Sequence, residues 1–327
     1  MKKNWTVKVA ALMLALTMIT ACFVGSTFAK YVTKAQGEGQ ARVAKWGILL
    51  TMNGAPFAKQ YETHDDTYNE DGKHKYSVIS SMDDYVVAPG TSSKDKDVNG
   101  DMVATVKGTP EVATRYTLEI KNWKDVVLPA MNGYVDYTQL VLKDGEYGYF
   151  NTFDLEGAYT PIKWNLVISG KDQEFNLADK IIEVLQNGHQ DQLDAAIALG
   201  FTENGCSIFS AMQILKKVAG KDEYKDIVEE ALSGIVSGGT NFQLEVTDTT
   251  LKMSYDFKPG KEMDYTFTLS WQWPFEVKDN DGEVIEIYDQ ADTYLGNIAA
   301  GVEGIIVPEG ASTQISVEFT ATATQID

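Results

Sequence analysis

The sequence predicts a mainly β protein, a two-sheet β-sandwich carrying a helical insertion at about 175–236. Three observations carry this. Most segments alternate apolar and polar residues with period two and are rich in Val, Thr, Tyr, Phe and Trp, the pattern of strands with one wet face. Turn dipeptides punctuate them, among them Asn53-Gly54, Pro89-Gly90, Asn99-Gly100, Asp144-Gly145, Pro259-Gly260 and Asp281-Gly282. One block between strands changes to helical spacing.

In chain order the expected strands are 41–53, 75–80, 101–107, 114–121, 136–142, 161–168, 242–247, 250–256, 264–272, 283–287 and 313–321. The last is the cleanest: Ile315, Val317 and Phe319 face one way, while Ser316, Glu318 and Thr320 face the other. Many strands with one polar face call for two packed sheets. Inside the helical block, Asn176 is suited to cap a helix that buries Leu177, Ile181, Val184 and Leu185 and stops at Gly188. A short helix over Asp191–Leu199 ends at Gly200. Ser207 is placed to cap a third that ends at Gly220, and Lys221 to about Ile235 forms a fourth. The block is expected to cover one face or end of the sandwich.

The amino terminus reads as an export signal. Lys2, Lys3 and Lys8 precede an apolar run from Val9 to about Val24, and Thr27 and Ala29 suit a small-residue cleavage site. Cleavage after Ala29 makes Lys30 the first mature residue. A retained membrane anchor is the rival reading, and the run of about 16 residues is short for a span. A second rival lipidates Cys22 in Ile19-Thr20-Ala21-Cys22. The domain plan is a signal peptide at 1–29, an N-terminal arm and first strand at 30–46, and the sandwich at 47–327.

The 327 residues hold 47 acidic and 28 basic side chains, a net charge of -19. Removing residues 1–29 takes three lysines and no acids, leaving 25 basic against 47 acidic residues, a net charge of -22. Such a field repels phosphate backbones, so no nucleic acid partner is expected. The cut also removes Cys22, leaving Cys206 alone, so no intramolecular disulfide forms. Cys206 is read as a plain buried or loop thiol.

Tests for chemistry return little. There is no H-E-x-x-H, G-x-S-x-G or C-x-x-C, and His64, His74 and His189 lie far apart. Asp95-x-Asp97-x-Asn99-Gly100 matches the first half of a calcium loop, but its twelfth position is Val106, so the crown of a hairpin is expected instead. Asp279-Asn280-Asp281-Gly282-Glu283 reads as a hairpin turn, and Gly234–Gly239 lacks the lysine of a phosphate cradle. No cofactor or specific metal site is expected, with weak calcium binding to the acidic surface as the one cation expectation. Trp271, Trp273 and Phe275 recur at period two, suiting a core row when buried and a sugar platform or protein interface when exposed. Lys30–Ala41 is an arm holding Tyr31 and Val32 ahead of the hinge Gln36-Gly37-Glu38-Gly39-Gln40. It suits either strand addition to a neighbour or an idle leader.

The junction Gly25-Ser26-Thr27-Phe28-Ala29-Lys30-Tyr31-Val32-Thr33 resembles that of proteins exported from Gram-positive bacteria through the SipW-type signal peptidase. Ala41-Arg42-Val43-Ala44-Lys45-Trp46 looks like their first mature strand, and Val87-Ala88-Pro89-Gly90-Thr91-Ser92 like their turn before a long strand. Gly108-Thr109-Pro110-Glu111-Val112-Ala113, Trp271-Gln272-Trp273-Pro274-Phe275-Glu276, Ala291-Asp292-Thr293-Tyr294-Leu295-Gly296-Asn297 and the closing Thr322-Ala323-Thr324-Gln325-Ile326-Asp327 extend the likeness to the TasA/camelysin-like biofilm matrix fibre family. The resemblance implies a jelly-roll-like sandwich with helical additions. It also implies assembly in which a released N-terminal segment completes the sheet of the next copy. Carried onto this chain, the donor lies within Lys30 to about Trp46, with Tyr31, Val32, Val43 and Trp46 as its apolar positions.

The leading expectation is therefore a secreted, non-enzymatic structural protein of the cell surface or biofilm matrix, a homopolymer built by strand donation. Its partners would be further copies, the signal peptidase, and a cell-wall or fibre-anchoring protein. A monomeric adhesion or carbohydrate-binding module is the alternative, favoured by exposed Trp271 and Trp273. A metallopeptidase comes third and requires histidines and acids to converge within about 2 Å of one zinc.

Overall fold

The computed structural model describes residues 43–62, 76–95, 98–135, 141–143, 145–148, 152–171, 173–201, 207–220, 223–233, 236, 238–277 and 283–326. The strands are β1 (Ile48–Asn53), β2 (Gln60–Glu62), β3 (Tyr76–Ile79), β4 (Met102–Gly108), β5 (Thr114–Lys124), β6 (Met131–Val135), β7 (Val141–Lys143), β8 (Glu146–Gly148), β9 (Thr152–Leu155), β10 (Lys163–Ser169) and β11 (Glu174–Asn176). Helices α1 (Leu177–Gly188), α2 (Gln190–Ile197), α3 (Ile208–Ala219) and α4 (Glu223–Ser233) follow. Then come β12 (Gly239–Val246), β13 (Leu251–Phe257), β14 (Met263–Gln272), helix α5 (Glu286–Ala300) and β15 (Ser316–Gln325). The result is a mixed β/α fold with several antiparallel sheets and a helical segment.

Two sheets dominate. One has five strands in the order β1-β4-β14-β10-β11, the other four in the order β12-β13-β5-β15, and every neighbouring pair is antiparallel. Alternation decides which side is buried. Ala104, Val106, Phe267, Leu269, Leu166 and Ile168 line the inner face of the first sheet, and Leu118, Ile120, Met253 and Phe257 that of the second. Aromatic rings join the two faces. Tyr116 stacks on Phe267 with centroids 5.6 Å apart, and Phe257 meets Tyr265 at 6.1 Å. Each large side chain buried here contributes about 2–3 kcal/mol of transfer free energy.

Two glycines let β1 lie close to its neighbours. Gly108 has φ +149°, and a Cβ there would sit 2.0 Å from the Gly47 carbonyl oxygen; at the other end Gly54 has φ +104° and would clash with the Asp101 carbonyl. A side chain at either position would push the strands apart.

The helical block lies between β11 and β12, as its spacing predicts. Asn176 caps α1 by accepting from the Ala178 amide at 2.9 Å, and Leu177, Ile181, Val184 and Leu185 are buried. The block packs across the ends of both sheets. Phe209 of α3 lies on Trp123 of β5 and meets Trp164 of β10 edge-on. From the same helix, Gln213 and Lys216 donate to the carbonyls of Thr247 and Val246, at the turn between β12 and β13.

Several expectations are corrected. The segment 283–287 is not a strand; α5 begins at Glu286, and Ile287, Ala291, Tyr294 and Leu295 form its inward stripe. A local alternation lost to the longer 3–4 spacing that Gly301, in the left-handed region at φ 65°, brings to an end. The first strand starts at Ile48 rather than 41, because Gly47 at φ +59° turns the chain before it. Of the segment 136–142, Val141 and Leu142 belong to β7, and residues 136–140 lie outside the described residues. Ser207 occupies the cap position of α3 without a side-chain cap bond, its buried hydroxyl having no partner among the described residues. Asp95–Gly100 is no hairpin crown, since β4 pairs with β1 and β14 and not with the strand before the loop. Pro259-Gly260 is a turn as its sequence predicts, Lys261 donating to the Lys258 carbonyl at 3.2 Å, but it joins β13 to β14, which belong to different sheets.

Candidate functional site: the margin between β1 and β15

A sheet exposes backbone donors and acceptors along its edges, so the four edge strands of the two larger sheets are where another chain can add. Two of them are blunted. β11 has three residues and runs straight into α1. β12 is broken by a bulge between Thr240 and Gln243, where Asn241 takes φ 54° and donates to Asp256 at 2.8 Å. The other two lie beside each other at one margin of the paired sheets. β1 pairs with β4 over all six of its residues, and β15 pairs with β5 from Ser316 to Gln325, with its one irregularity near the start. Among the described residues, no strand pairs with the far edge of either.

The margin is apolar and partly uncovered. Ile48, Leu50 and Met52 share the inner face with buried Val106 and Ala104, yet none of the three is fully buried. Across from them Val317, Ala321 and Ala323 are also half-buried, while only Phe319 of β15 is closed off. Leu49, on the opposite face of β1, is 61% exposed.

Ala29, Lys30, Tyr31 and Val32 lie outside the described residues. Val43 is 62% exposed, and Trp46 is half-buried; neither belongs to a strand. Between them Lys45 is fastened to the body: its amide donates to Glu111 Oε2 at 2.8 Å, and its carbonyl accepts from the Glu111 amide at 2.8 Å. Lys45 and Trp46, the last residues of the donor segment read from the sequence, therefore sit at a point where the chain is fastened to the body.

Few of the chemical candidates fall among the described residues. His64, His74, Cys22, Cys206, Asp97 and residues 278–282 lie outside the described residues. His189 sits between α1 and α2 with Nδ1 3.4 Å from Glu223 Oε1. Asp95 is buried, its Oδ1 accepting from the Glu62 amide at 3.4 Å, and Val106 points into the core. Among the described residues, no group of three or more His, Cys, Asp or Glu is placed to hold a metal. No helix there is long and apolar enough to cross a membrane.

The aromatic row divides. Trp271 is 1% exposed, donates to the Pro56 carbonyl at 2.7 Å and packs on Phe57 and Tyr61. Trp273 is buried and donates to Asp292 Oδ1 at 3.1 Å, while Phe275 is 72% exposed beyond the end of β14. A sugar platform of Trp271 and Trp273 is therefore not presented.

Two carboxyls stand out that the sequence did not single out. Asp125 is buried after β5, its Oδ1 accepting from the Val126 amide at 2.9 Å, and burial pushes its pKa up to about 7. Asp292 is half-buried on α5 and accepts from both Tyr159 and Trp273. No spacing rule joins positions 159, 273 and 292, so nothing in the sequence could have marked the second group.

Neither a protein-family model nor a curated protein matches the sequence.

Proposed function

We propose that this chain is an exported structural protein of the cell surface or extracellular matrix, and that copies join when the N-terminal segment of one adds as a strand to the β1–β15 margin of the next. The observation that supports the reading is the ten-residue far edge of β15, with no described strand paired to it and a half-buried apolar seam beside it. Backbone hydrogen bonds would supply affinity, and Tyr31 and Val32 would fill the seam between Leu50 and Ala321. Because β1 is itself a margin strand, a donated segment joined to it through Lys45 would be carried at the same margin of the copy that gives it. Filling that seam would finish a jelly-roll-like sandwich, the finer architecture that the family resemblance implies.

In this reading the signal peptidase creates the donor by exposing Lys30, and a cell-wall or fibre-anchoring protein receives the terminal copy. The role is architectural and needs no catalytic residue or cofactor. Electron microscopy of protein beginning at Lys30, beside protein lacking Lys30–Gln40, tests it. Fibres from the first and monomers from the second are expected; a first protein that stays monomeric at high concentration overturns the reading.

A further inference from the structure

Besides its buried stripe of Ala291, Tyr294 and Leu295, helix α5 is tied to the body through one carboxylate. Asp292 Oδ1 accepts from the Tyr159 hydroxyl at 2.8 Å and from Trp273 Nε1 at 3.1 Å. Tyr159 belongs to a segment bridged to Leu128, and Trp273 follows β14, so this oxygen ties the helix to two separate parts of the sheet framework. One turn earlier on α5, Tyr288 lies flat against Tyr159 with centroids 4.9 Å apart. Ile287 and Tyr288 wall a groove whose other side carries Asp154 and Glu156.

Among the described residues, the charges acting on this contact share one sign. Asp289 of α5 acts on Asp292 and on Tyr159, Tyr288 acts on Tyr159, and from the end of β14 the neutral indole of Trp273 donates to Asp292. Among the described residues, no lysine or arginine acts on Asp292. Burial pushes its pKa up to about 6; the two donors oppose that rise and Asp289 adds to it. A proton on Oδ2 removes the repulsion from Asp289 and leaves Oδ1 accepting both bonds.

We propose that Asp292 is a proton-controlled clasp that seats α5 more firmly in mildly acidic than in neutral surroundings. The folded helix binds the proton more tightly than the unfolded chain does. The added stability is therefore complete below the ordinary aspartate range and is lost as pH rises through the folded value. Loosening α5 opens the groove wall formed by Ile287 and Tyr288. It also slackens the connection to β15, whose approach is pinned where Ser312 and Val127 exchange backbone hydrogen bonds at 2.8 and 2.9 Å.

Amide hydrogen exchange on the protein beginning at Lys30, with rates divided by the intrinsic rate at each pH, tests the clasp. Peptides covering 286–300 should open about tenfold more often near pH 7.5 than near pH 5, solvent screening reducing the hundredfold that a shift of about two units allows. Asp292→Asn should abolish that dependence in these peptides. Asp289→Asn, which spares both hydrogen bonds, should move the midpoint to lower pH. Equal protection at the two pH values, an unchanged dependence in Asp292→Asn, or an unmoved midpoint in Asp289→Asn overturns the proposal.

Discussion

Phe209 of α3 lies flat on Trp123 of β5, ring centroids 4.0 Å apart and planes 16° from parallel. This contact joins the helical block to the four-stranded sheet, and the edge-on approach of Phe209 to Trp164 joins it to the five-stranded one. Phe209→Ala removes both at once. It should cost about 3–5 kcal/mol, read from denaturant unfolding. Near-UV circular dichroism of Trp123 and Trp164 should weaken while the strand signal persists.

Asp125 should make overall stability fall as pH rises. Its folded pKa is raised by burial, so between the ordinary aspartate value and about 7 the folded chain holds a proton that the unfolded chain has released. The contribution is greatest in acid and disappears above about 7, spanning at most about 4 kcal/mol. Urea midpoints from pH 4 to 8 should decline in the native protein and flatten in Asp125→Asn.

Arg115 and Asp256 work in the opposite direction. The guanidinium donates to both carboxylate oxygens, Nε to Oδ1 at 2.6 Å and Nη2 to Oδ2 at 2.9 Å, across β5 and β13. The Arg115 hydrogen bonds hold the Asp256 carboxyl below the usual range, so this stabilisation is present above the unfolded value and is lost in strong acid. Asp256→Ala should cost about 1–3 kcal/mol at neutral pH and loosen the bulge that Asn241 makes on β12. A double-mutant cycle with Arg115→Ala separates the pair from the bulge.

Proline at Thr322 and at Ala323 distinguishes the two sides of β15. In an antiparallel ladder, successive amides point alternately to the partner strand and to the open edge. One of the two variants should therefore disrupt the pairing with β5. The other should fold normally, judged by circular dichroism, and form no fibres. A well-folded variant at each position that still polymerises would place the contact elsewhere.

Gly108→Ala should detach β1. The new methyl group would meet the Gly47 carbonyl, and both Ile48 and Met263 pair with this residue. Exchange protection over Ile48–Asn53 should fall by more than tenfold while β13 stays protected.

Strand character was legible wherever a buried row alternates with a wet one, as in Tyr116-Leu118-Ile120 and Leu251-Met253-Tyr255. The helical block was legible because Asn176 and Gly188 bracket a single apolar stripe. Alternation misled at Glu283–Ile287, where five residues mimic a strand ahead of a longer helical stripe. Sheet membership could not be read: Pro259-Gly260 looks like any hairpin turn, and only packing sends β13 and β14 to different sheets. The margin was half legible. The outer strand β15 is plain in sequence, but its position beside β1 comes from long-range pairing. Trp271 and Trp273 are compatible with core or surface until their partners Pro56 and Asp292 are seen.

The fastening of Lys45 to Glu111 determines how the protein meets mechanical load. A pull applied at Lys45 loads its two hydrogen bonds to Glu111 before it reaches β1. Beyond them stands the six-rung ladder of β1 on β4. Tension at Lys45 would thus be met first at the rim, at the Lys45–Glu111 bonds, and only then by the β1 ladder.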